Sequence, residues 1–248
     1  MIAEFVGTAT CYTTYPKEEQ MSDNDRFSER RGFLQGAAAA AAAYGLTHLV
    51  SAADAAETPA AAQGAVAVEF QRWLDSIPGK YRQVYDAPEP NGGFALITAW
   101  VFLLTGQQGY GVPESDLGVA VVLRHNAIPI GFSDDLWAKY KLGEVFKIDD
   151  PATKAPATRN PFANVNAGDM PLPDMALDKL AARGVKFGVC GMAIRHFSGV
   201  VAHKMGMEAE QVRQDWVSGV LPGVQVVPSG VLAVNGAQAR GCTYCFAG

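Results

Sequence analysis

The chain has 248 residues, 49% of them hydrophobic, which suits one large domain or two small ones and excludes disorder throughout. A formal net charge of −5, with no basic cluster in the second half, excludes the electrostatic footprint of a nucleic-acid-binding protein.

The first third reads as an address. In "SERRGFLQGAAAAAAAYGLTHLVSAADA" an arginine pair precedes Phe33 and Leu34, and an alanine-dominated run of modest hydrophobicity follows. The arrangement resembles a twin-arginine export signal, with Arg30, Arg31, Phe33 and Leu34 on its pattern and Glu29 as a departure from it. Ala53 to Ala55 has the A-x-A form of a cleavage site, so the mature chain is expected to begin near Ala56, in the periplasm or outside the cell. The apolar run is too weak for a membrane span, and no stable span is expected after cleavage. Residues 1–55 are therefore read as leader and signal, with Met1 or Met21 as the start, and 56–79 as a linker.

From residue 80 to 248 the pattern is α/β. "KYRQVYDAP" is a first strand closed by Pro88, and "NGGFALITAWVFLLTGQQGYG" a strongly apolar helix. "LGVAVVLRHNAIPI" carries a β-branched run from Val119 to Leu123, as in a strand buried on both faces. "SDDLWAKYKLG" reads as a helix with Ser133 as N-cap, acids in the first turn, lysines in the last and Gly143 just past its end. A Pro-, Asn- and Gly-rich insertion at about 149–173 follows, longer than an idle loop and suited to a lid, an interface arm or a disordered excursion. Beyond it, "DMALDKLAARG", "MAIRHFSGVVAHKMG", "MEAEQVRQDWVSG" and "GVLAVNGAQARG" are helices, and "VKFGVC", "VQVVP" and "CTYCFAG" are strands. Five strands alternating with helices predict a layered α/β domain with a mainly parallel sheet.

Ligands of such sheets bind beyond the carboxyl ends of the strands, near the topological switch point. His125, just after one strand, and Cys190, between a strand and a helix, fall at that edge. Amide groups of a helix's first turn stabilise a thiolate, Gly191 lets the backbone turn closely, and Arg195 or His196 adds positive potential if it points back. A thiolate so placed can attack sulfur electrophiles and carry a persulfide. The alternative for Cys190 is a small buried hydrophobe. For His125 it is a ring that satisfies loop carbonyls, and His203, beside Lys204, reads as a solvated cap. Asn126 completes the expected binding set of His125, Asn126, Gly191 and Arg195. No metal ligand spacing and no cofactor motif is present. "CTYC" is read as two core residues, because cysteines three apart in a strand lie about 10 Å apart and face opposite sides.

"GVKFGVCGMAIRHFSGV" and "LPGVQVVPSGVLAVNGAQARGCTYCFAG" resemble the DsrE/DsrF-like (YchN-like) superfamily over roughly residues 185–248, and more weakly over Lys80 to Leu142. The resemblance implies a flavodoxin-like domain, assembly into homo-oligomers such as trimers or hexamers, and, in some members, a cysteine that passes sulfane sulfur from a donor to an acceptor. Cys190 matches that cysteine, and His125 falls near a position where related chains carry a histidine. Gly241 and Cys242 stand where the family has Gly-Tyr. Sulfur transfer through Cys190 is thus the leading expectation. A non-catalytic small-molecule or cofactor-binding oligomer is the alternative.

Overall fold

A computed structural model describes residues 60–248; the expected signal, its cleavage site and Cys11 lie outside the described residues. Five parallel strands form one sheet in the order β4-β3-β2-β1-β5, namely β1 (Tyr81–Ala87), β2 (Leu117–Leu123), β3 (Lys186–Cys190), β4 (Val224–Val227) and β5 (Thr243–Phe246). The expected α/β layers are present, with helices on both faces of an all-parallel five-stranded sheet. All seven residues of β2 are buried, which is why its sequence shows a continuous apolar run instead of alternation.

Each face of the sheet carries its own half of the core. On one side Tyr85, Val119, Val121, Leu123, Phe187 and Val189 pack under α2 (Phe94–Tyr110), α6 (Gly191–Met205) and α7 (Ala209–Ser218). On the other, Val84, Ala120, Val122 and Val227 meet α1 (Ala60–Asp75) and α8 (Gly230–Ala239). The period of two along each strand divides these sets.

The linker expectation for 56–79 is corrected by α1. Phe70, Trp73, Leu74 and Ile77, at helical spacing, are buried against the second face, and the Trp73 indole donates to the Phe187 carbonyl at 3.1 Å. Gly188 in β3 makes room for that indole, since a Cβ there would lie 2.9 Å from its ring. The helix expected to stop before Gly143 also differs. It ends as α3 (Asp134–Tyr140) on Lys141 in the left-handed conformation, a short α4 (Leu142–Phe146) follows, and Ser133 makes no side-chain cap bond.

Gly143 serves a close approach instead of a helix stop. A Cβ on it would stand 2.3 Å from the backbone N and O of Ala157 in the insertion. The insertion itself is packed, with Phe162, Ala163 and Met170 in the core. Arg159 pairs with Asp150 at 2.9 Å and Asp169 at 2.7 Å, and the Asn160 amide donates to the carbonyls of Ile130 and Phe132. Residues 149–173 are thereby tied to the segment after β2 before α5 (Leu177–Ala182) leads into β3. Gly143→Ala is expected to destabilise the protein by about 1–3 kcal/mol through overpacking. The check is a lower thermal midpoint together with earlier proteolysis inside 149–173; unchanged proteolysis there would refute the assigned contact.

Among the described residues no helix is long and apolar enough to cross a membrane.

Candidate functional site

The connections leaving neighbouring strands diverge at one place. α6 follows β3 onto the first face of the sheet, whereas α8 follows β4 onto the second. Their N-termini lie beyond the carboxyl ends of β3 and β4, the topological switch point at which open parallel sheets bind ligands. The backbones are close there, because a Cβ on Gly191 would meet the Val227 carbonyl oxygen at 3.0 Å.

Cys190 ends β3 and is the N-cap of α6. Its Sγ accepts the Ala193 N–H at 3.4 Å, and the residue is 7% exposed, packed at the rim of the first half-core. Ser229 caps α8 in the same way, accepting from Leu232 N–H at 3.3 Å. The extended backbone of each cap, followed by helical residues, follows from a strand running straight into a helix.

A buried charge cluster that the sequence reading missed lies along this edge. Asp86, near the end of β1 and 6% exposed, accepts from Arg124 Nε at 2.6 Å and Nη2 at 3.0 Å, and from the Tyr244 hydroxyl at 3.1 Å. Leu123 is in register with Val189, so Arg124 stands one step on, level with Cys190. Its stem lies against the first residue of α8: a Cβ on Gly230 would come within 2.5 Å of the Arg124 Cβ. Its bond to Asp86 raises the Arg124 pKa above the ordinary value, and Cys190 makes a smaller contribution in the same direction. Burial and then Asp86 raise the Tyr244 phenol. The signal in the sequence was opposite charge at the carboxyl ends of two apolar strands, Asp86 in "YRQVYDAP" and Arg124 in "VAVVLRH".

The other expected residues form two further groups. His125 has a left-handed backbone (φ 50°) and an exposed side chain, with its Nδ1 3.5 Å from Glu89 and its ring edge-to-face with Phe197. Asn126 donates to both oxygens of Glu89, at 2.9 and 3.0 Å. These two residues therefore meet at Glu89, a rim carboxylate. Arg195 is exposed on α6, and its charge acts on Glu210 of α7. The Glu210 carboxyl is lowered to about 2, mainly by its hydrogen bonds to Arg213 and then Gln214.

Cys242 and Cys245 are free thiols on opposite sides of the sheet, Cys242 in the second half-core and Cys245 against the first. Two cavities lie elsewhere. One of about 220 Å³ runs between Ser133, Asp134, Asn160 and Leu221, and one of about 410 Å³ lies beside Trp100, Leu104, Lys179 and Arg183; neither is lined by an expected site residue. Among the described residues no group of three His, Cys, Asp or Glu side chains is placed to hold a metal ion.

Fold and edge together define a class, an α/β layer protein with an all-parallel sheet, a cysteine at its switch point and an ion-paired arginine on the next strand. No family model and no curated protein matches the chain. A solved structure, the protein of unknown function MTH1491 from Methanobacterium thermoautotrophicum, is similar at 17% identity, covering 67% of this chain and 98% of that one, with a TM-score of 0.35.

Proposed function

We propose that this is an exported, DsrE-like sulfur carrier in which Cys190 accepts sulfane sulfur and holds it as a persulfide. The observation that carries the reading is the position of the Cys190 sulfur, at the N-terminus of α6, accepting an amide N–H, at the carboxyl edge of β3. The thiolate is the attacking species in such a transfer. In the transfer, the Cys190 thiolate attacks the outer sulfur of a donor R–S–SH. A new S–S bond forms on Cys190, the donor's S–S bond breaks, and R–S⁻ leaves with the bonding pair. Export to the periplasm and assembly into a homo-oligomer belong to the same proposal. The assembly is supported by α2, which has no charged residue in 17 and leaves Phe94, Val101 and Leu104 exposed.

Exposure to a persulfide donor is expected to make the intact protein one sulfur atom heavier, and Cys190→Ser to abolish the gain. Equal gain in both proteins would refute the proposal. The 7% exposure of Cys190 favours a second reading, a non-catalytic protein that binds a small molecule at this edge. Titration of the native thiols separates the two, since a Cys190 that resists every reagent until unfolding carries no sulfur.

A further inference from the structure

We infer that Arg124 determines donor specificity at the Cys190 site by binding anionic sulfane donors, of the thiosulfate or thiosulfonate class, through their oxygen-bearing end at the carboxyl edge of β2 and β3. The inference rests on the sulfur-carrying reading of Cys190. Three observations place Arg124 for this role. It stands level with Cys190 across β2 and β3. Its Nε and Nη2 are held by Asp86, while Nη1 has no hydrogen-bond partner among the described residues. Its stem presses on Gly230, which fixes the side chain beside the first residue of α8, at the end of a helix where an anion is favoured. Asp86 is the more deeply buried partner, with side-chain exposures of 8% against 28% for Arg124, so solvent reaches the pair from the arginine side.

The groups around it are consistent with a fixed, directed guanidinium. Asp86 holds it from β1 and is itself held by the Tyr244 hydroxyl of β5, which donates to the same carboxylate, and Gly230 leaves the space for the Arg124 stem. With thiosulfate as donor, the Cys190 thiolate attacks the outer sulfur and the donor's S–S bond breaks. Sulfite departs with the bonding pair, leaving Cys–S–S⁻, so charge and atoms balance. The negative charge that grows on the departing group is the one Arg124 attracts.

The test compares two methanethiosulfonates of opposite charge, one bearing a sulfonate and one a trimethylammonium, on the full-length protein. Modification is located at Cys190 by peptide mass spectrometry, and each rate is divided by that for a free small thiol. The net charge of −5 disfavours the anion overall, so a preference for it must be local. At low salt the normalised ratio is expected to favour the anionic reagent by about fivefold, as for one charge near the reacting atom. It should fall toward one as salt rises, since Arg124 is reached through solvent. The double variant Asp86→Asn/Arg124→Gln, which leaves no unpaired charge, should lose the preference while still being modified; salt dependence in the native protein tests the idea even if this variant does not fold. Modification without anion preference overturns the role of Arg124 alone. No modification of Cys190 by either reagent overturns the sulfur-carrying reading beneath it.

Discussion

Asp86→Ala should lower the free energy of unfolding by about 3 kcal/mol, the lower end of the loss seen when one partner of a buried pair is removed. The substitution takes away the acceptor of two Arg124 bonds and one Tyr244 bond. It leaves a guanidinium without its carboxylate, on a side chain whose stem is packed against the first residue of α8. Water reaches part of Arg124, whose side chain is 28% exposed, and this screening keeps the effect from the top of the range. The double variant Asp86→Asn/Arg124→Gln should recover part of the loss, because it strands no charge. Urea unfolding of the single and double variants gives the comparison, with the midpoint moving and the slope unchanged. A single variant as stable as the native protein would mean that the pair does not hold the edge together.

Trp216→Ala should cost about 4 kcal/mol, within the range for truncating a buried tryptophan. The indole of α7 is fully buried and meets Phe132, Tyr140 and Phe146 at ring separations of 5.4, 5.9 and 6.3 Å. These aromatic rings join α3, α4, α7 and the segment after β2, so the cavity would open where four pieces of chain converge. Trp216→Phe is a sharper version of the same test. Among the described residues the Trp216 N–H has no hydrogen-bond partner, whereas the indoles of Trp73 and Trp137 donate to the carbonyls of Phe187 and Pro129. Phenylalanine at 216 removes an unsatisfied donor, whereas at 137 it breaks a made hydrogen bond and leaves the buried Pro129 carbonyl with only the Phe132 N–H among the described residues. Trp137→Phe is therefore expected to be the more damaging of the two, and the reverse order in denaturant unfolding would contradict the assignment of the orphan.

Much of the layer architecture was legible because burial imposes a visible period. A strand covered on both faces needs apolar residues at every position, and "LGVAVVL" has them. The opposite placement of Cys242 and Cys245 followed from the same pleat. α1 escaped notice because its buried face, Phe70, Trp73 and Leu74, comes only after an Ala- and Gly-rich start without periodicity. Gly143 was misassigned because a glycine after a helix is ordinarily a stop, and only the path of residue 157 shows that the missing side chain admits another backbone.

The candidate site divides along the same line. That Cys190 ends a strand and begins a helix is a local property, set by apolar residues on one side and helix formers on the other, and the chain alone determines it. That Arg195 acts on Glu210, that His125 and Asn126 share Glu89, and that Arg124 stands beside Cys190 under the hold of Asp86 depends on strand order and register. Those pairings join residues 38 or more positions apart in some cases, and no short-range pattern encodes which strands become neighbours. Local propensity thus settles what each segment is, while the packing of two half-cores on one twisted sheet decides which charges meet at its edge.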